Sequence, residues 1–85
     1  VEGKLLVAQT LFALSNRQIT FSKGAKAYID FDVIVENALI ENEGAIIDIK
    51  RNLEIRRFGS RYVQNSGSTQ IHWFMPKKQN TPEMS

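Results

Sequence analysis

Eighty-five residues make one domain, with a core only marginally large enough to stand without a partner. An apolar fraction of 42% and a charged fraction of 24% exclude a disordered, collagen-like or coiled-coil chain. The absence of cysteine excludes a disulfide framework and any Cys-ligated metal, leaving cytoplasm and periplasm both open, and a net charge of +2 does not by itself imply nucleic acid.

The chain opens on Glu2 to Ser15 (EGKLLVAQTLFALS), rich in Leu and Ala and free of proline, which predicts a helix. At 100° per residue Leu5, Ala8 and Phe12 fall on one side, Leu6 and Ala13 on a second, and Val7, Leu11 and Leu14 on a third. A helix that is apolar nearly all round has to be covered on more than one side. From Ile19 the period changes to two, and Lys23-Gly24 is the first turn signal.

Ala25 to Val35 alternates most cleanly, with Ala25, Ala27, Ile29, Phe31, Val33 and Val35 on one face and Lys26, Tyr28, Asp30 and Asp32 on the other. This reads as one long antiparallel strand with a wet outer face, and Ile34, which breaks the rule, marks a bulge or an outer apolar contact. After a turn at Asn37, the stretch Ala38 to Gly44 is either a short strand and loop or one broad hairpin connection. Ala45 to Lys50 and Leu53 to Phe58 read as a hairpin turning at Arg51-Asn52. Gly59-Ser60 is a bend, Arg61 to Gln64 continues as strand, Asn65-Ser66-Gly67-Ser68 is the strongest turn signal, and Gln70 to Met75 is the last strand. Pro76 ends the ladder.

The expected fold is therefore α+β: an N-terminal helix packed on a curved antiparallel sheet of about five strands, over residues 1–76, followed by a disordered tail over 77–85. No internal repeat is read from the sequence. The opening shows neither a signal peptide nor an 18-residue apolar span, and starting at Val1 it reads as a fragment of something longer.

No catalytic or metal-binding constellation is present, so the chain reads as a non-enzyme without cofactors. The single His72 cannot hold a metal or activate a nucleophile without a partner, and it reads as a strand histidine. Asp30 and Asp32 share one strand face, as paired carboxylates would, but any strand with a wet face gives that spacing. The cluster Arg56, Arg57, Phe58, Arg61 and Tyr62, with Lys50 and Arg51, supports a single-stranded nucleic-acid site in which arginines neutralise phosphates and rings stack on bases. Asp48 and Glu54 within it support plain sheet decoration. Leu6, Leu11, Phe12, Ile34, Trp73, Phe74 and Met75 are the apolar side chains a lone domain has most difficulty covering, which points to a protein partner or a hydrophobic ligand chamber.

An apolar helix followed by an antiparallel meander with unfinished apolar surface, over Glu2 to Met75, resembles in outline the periplasmic sensor domains of ToxR-like membrane-anchored transcription regulators, of the cysteine-free bile-sensing type. The resemblance implies a periplasmic receptor half that forms a heterodimer with a small β-barrel partner. The pair would enclose a bile salt or similar amphipathic molecule and signal to a cytoplasmic DNA-binding portion linked to virulence. In that reading the membrane is reached only through a segment outside these residues, and the fragment itself does not bind nucleic acid. A structural subunit of a larger assembly is the third reading.

Overall fold

Lys4–Val7 and Leu11–Leu14 form two short strands, β1 and β2, rather than a helix, in a computed structural model that describes residues 1–56, 59–72 and 82–84. The remaining strands are β3 (Gln18–Phe21), β4 (Lys26–Ile29), β5 (Val33–Glu36), β6 (Leu39–Ile49), β7 (Leu53–Arg56), β8 (Arg61–Ile71) and β9 (Glu83–Met84). Among the described residues there is no helix.

Every strand pair is parallel. Lys4 pairs with Lys26, 22 residues on, and Lys26 with Ile46, 20 residues on. Parallel neighbours need a crossover between them, and here the crossover is the rest of one turn of a coil. Among the described residues, each of the first three coils contributes one strand to each of three faces. The first face stacks β1, β4, the second half of β6 and the second half of β8; the second stacks β2, β5 and β7; the third stacks β3, the first halves of β6 and β8, and β9. The chain is a parallel β-solenoid, in which each coil contacts only its neighbours.

The coil interior is filled by columns of inward residues. Ala27, Ile47, Val35, Ile29, Ile49, Val33, Leu53, Ile40 and Tyr62 are all buried, and Leu5, Val7, Leu11 and Ile19 of the first coil pack against them. The corners stack as well as the strands. At the first corner Asp30, Lys50 and His72 donate their N–H groups to the carbonyls of Val7, Ile29 and Ile49, at 2.9, 2.9 and 2.7 Å. At the second, Asn16 and Asn37 both take positive φ (66° and 53°), Asn16 N–H reaches Asn37 O, and Gly59 (φ 81°) follows in the next coil. Asparagine tolerates this left-handed conformation because its short polar side chain bonds locally.

The third corner bends β6 and β8 without breaking them. Asn42, fully buried, accepts from the N–H groups of Gly44 and Ala45 (3.1 and 2.7 Å) and donates to the carbonyls of Ala45 and Ser68 (3.1 and 3.2 Å). One side chain thus satisfies four backbone groups where the ladder shifts register. Gly67 sits against the same corner: a Cβ there would lie 2.3 Å from Ala45 O, and its φ is 81°.

The α+β fold with an antiparallel sheet is therefore corrected. The apolar circumference assigned to a helix arises because β1 and β2 are apolar both inside (Leu5, Val7, Leu11, Ala13) and outside (Leu6, Phe12, Leu14), with a corner at residues 8–10 between them. The expected strand from Ala25 to Val35 is two, β4 and β5, with Phe31 turned outward at the corner that separates them. Arg51-Asn52 is the next corner of the coil and not a hairpin turn, since Val33 N–H donates to Asn52 O in the parallel sense. Asn65 to Ser68, read as a turn, lies within β8. Glu83–Met84, inside the stretch expected to be a tail, pairs with β8.

Candidate functional site: the first coil

The outward columns change character along the solenoid. On the first face Leu6 is followed in register by Tyr28, Asp48 and Gln70. On the second face Phe12 is followed by Ile34 and Glu54, and Leu14 by Glu36 and Arg56. The outward side of β1 and β2 thus carries Leu6, Phe12 and Leu14 beside Lys4, β3 turns Gln18 outward, and the later coils mix polar residues with exposed Phe31 and Ile46. Leu6 is 68% exposed and Phe12 55%, with Val1 and Leu14 also exposed.

Among the described residues β1 pairs with β4, β2 with β5 and β3 with β6. At the end of β3 the Val1 amino group donates to Thr20 O and Ser22 N–H donates to Val1 O. Leu5, Val7, Leu11 and Ile19 of this coil are half-buried and pack against the core.

Of the residues singled out as difficult to cover, Leu6, Leu11 and Phe12 belong to this coil, and Ile34 is the register neighbour of Phe12, buried on the outward side at 7% exposure. Trp73, Phe74 and Met75 lie outside the described residues. A shallow groove of about 280 Å³ runs beside Leu6, lined by Val7, Ala8, Tyr28 and Asp30. It is open to solvent and is no ligand chamber. Lys4 Nζ stands 5.7 Å from the Tyr28 ring centroid at its margin, within range of a cation–π contact.

The arginine-aromatic cluster is not assembled as a stacking platform. Tyr62 faces the interior at 1% exposure, with its hydroxyl 2.7 Å from Thr69 Oγ1, and burial pushes its phenol up to about 12 despite that bond. Arg56 pairs with Glu54 at 2.6 Å, and Arg61 pairs with Glu83 at 3.0 Å. The Glu83 hydrogen bond and charge raise the Arg61 pKa, and the same bond lowers that of Glu83. Arg57 and Phe58 lie outside the described residues. The Arg61–Glu83 pair ties β8 to β9, the Arg56–Glu54 pair lies within β7, and both arginines are charge-compensated.

Asp30 and Asp32 have separate structural partners. Asp32 Oδ1 accepts from Asn52 N–H at 3.0 Å, and Asp30 lies 3.7 Å from Lys50 Nζ. His72 Nε2 is 2.7 Å from Asp48 Oδ1, linking the third and fourth coils. Among the described residues no group of three His, Cys, Asp or Glu side chains converges as a metal site. No family model, curated protein or solved structure matches the chain.

The uncovered apolar side chains are legible in the sequence, but what unites them was missed there. That signal was the 20-to-22-residue spacing, seen in Lys4-Leu-Leu-Val, Lys26-Ala-Tyr-Ile and Ile46-Ile-Asp-Ile, whose inward positions all carry small or aliphatic residues.

Proposed function

We propose that the chain is a non-enzymatic interaction module that docks a protein partner on its first coil. The observation that carries this reading is the exposure of Leu6, Phe12 and Leu14 on the outward side of β1 and β2. Exposed large apolar side chains close together in one part of a fold mark a contact surface, and Leu6, Phe12 and Leu14 supply it here. The architectural outline behind a ToxR-like sensor domain, a helix on an antiparallel meander, is not the one this chain adopts, so the proposal keeps the partner and leaves out the bile salt.

The test is an environment-sensitive apolar dye with the isolated chain. Fluorescence enhancement that is lost in Leu6→Glu and Phe12→Glu, both folded by circular dichroism, supports the first coil as the docking surface. Equal enhancement in wild type and both variants overturns it.

A further inference from the structure

We infer that the partner docked beside Leu6 presents an acidic side chain next to apolar ones, with its carboxylate seated between Lys4 and Lys26. This rests on the docking reading above and names the chemistry of the occupant. Lys4 and Lys26 are register partners in neighbouring parallel strands, and both are exposed. Each stands two residues before an outward side chain of the groove, Leu6 or Tyr28. Like charges set directly opposite one another in a sheet are destabilising. Among the described residues neither ammonium group forms an ion pair. The acids on the same side of the solenoid each have a basic partner: Asp30 lies 3.7 Å from Lys50 Nζ, and Asp48 lies 2.7 Å from His72 Nε2. Lys4 and Lys26 thus hold uncompensated charge beside the groove, and Lys4 Nζ leans over the Tyr28 ring, 5.7 Å from its centroid.

The geometry sorts the anions that could answer this charge. Strands of neighbouring coils lie about 4.8 Å apart, so both ammonium groups can reach the two oxygens of a single carboxylate. Beside them the groove of about 280 Å³ is walled by Leu6, Val7, Ala8 and Tyr28, with Leu6 68% exposed. That surface takes an apolar side chain adjacent to the carboxylate, which an acidic protein segment supplies and a sugar-phosphate backbone does not. Asp30 and Asp48 lie farther along the same side and repel an extended polyanion or an anionic membrane surface, whose charges continue past the lysines. A single acid relieves the opposition of Lys4 and Lys26. An apolar partner without one leaves it in place, so the contact selects for charge as well as for apolar surface.

A random-peptide library displayed on phage and selected on the immobilised 85-residue chain tests this. The selected peptides should carry Asp or Glu within a few residues of Leu, Phe or another large apolar residue. Made with a fluorescent label, the tightest of them should lose about 10-fold in affinity to Lys4→Gln or Lys26→Gln and should weaken as salt is added. In the double variant Lys4→Glu, Lys26→Glu the selection should turn to peptides containing Lys or Arg. Both positions are exposed, and circular dichroism checks that the variants are folded. Acid-free peptides selected by the wild-type chain, or the same acidic peptides selected by the double variant, overturn the acidic assignment. If those peptides still lose binding in Leu6→Glu, the docking reading stands without it. Tighter binding of a single-stranded oligonucleotide or of phosphatidylglycerol vesicles than of any selected peptide overturns the assignment as well. If no peptide is enriched the acidic partner falls, and the docking reading falls with it only where the dye enhancement is also indifferent to Leu6→Glu and Phe12→Glu.

Discussion

Tyr62 and Thr69 meet across the corner of β8, with 2.7 Å between the phenol oxygen and Oγ1, so that the two limbs of one bent strand are tied through the coil interior. The corner is at Gly67, and both side chains enter from the same strand. The hydroxyl pair satisfies a phenol that would otherwise be buried without a partner, which is the costly arrangement.

Burial holds the Tyr62 phenol at about 12 against an ordinary value of 10, and the bond to Thr69 offsets only part of that. The unfolded chain releases this proton near pH 10 and the folded one near 12. The contribution is intact below pH 10 and is lost as the pH rises to about 12, amounting to roughly 2–3 kcal/mol. Urea unfolding between pH 9 and 12 should show the decline, and Tyr62→Phe should remove most of it. An unchanged slope in that variant would assign the decline to other groups.

Asn42 is the side chain on which the third corner depends most. Asn42→Ala strands two N–H groups and two carbonyls in a dry corner and should cost about 3 kcal/mol. Asn42→Asp should be no milder, because a carboxylate cannot donate to Ala45 O and Ser68 O. Thermal unfolding monitored by circular dichroism reads both; a loss below 1 kcal/mol would mean that water replaces the side chain.

Two glycines with similar φ separate conformational cost from steric cost. At Gly24 (φ 85°) an added methyl would have nothing within 4 Å, so Gly24→Ala should cost about 1 kcal/mol. At Gly67 (φ 81°) the same methyl would meet Ala45 O at 2.3 Å and Ala45 N at 2.7 Å, and both are backbone atoms of the adjacent coil. Gly67→Ala should cost at least 3 kcal/mol or abolish cooperative unfolding. Equal losses in the two variants would show that the coils can part at this corner.

Asn37 holds a positive φ of 53° at the second corner, with an exposed side chain. Asn37→Val forces a β-branched residue into that conformation and should cost about 1–2 kcal/mol, whereas Asn37→Gly should be nearly neutral. Denaturant midpoints of the two variants decide it.

What was legible in the sequence was local. The alternation of Ala25, Ala27, Ile29, Val33 and Val35 identified residues that are buried in the coil, because a strand with one wet face alternates whatever its neighbour's direction. Phe31, in the same series, was misplaced because a corner intervenes. The same alternation suggested antiparallel pairing, since parallel sheets are usually covered on both faces and read as continuous apolar runs. A solenoid is the exception: its outer faces are wet while its strands are parallel. The uncovered side chains Leu6, Leu11 and Phe12 were also legible, as an excess of apolar surface.

Composition and pattern by themselves determined that the chain folds, that it has no cysteine chemistry, and that its N-terminal stretch is more apolar than one layer can bury. Only the tertiary structure decided that this stretch is strand. The helix propensity of Leu and Ala amounts to tenths of a kcal/mol per residue, and stacking Leu5 on Ala27 and Val7 on Ile29 outweighs it. Direction and register depend on pairing residues about 20 positions apart. No local pattern encodes such pairing, because it exists only once the coil has closed.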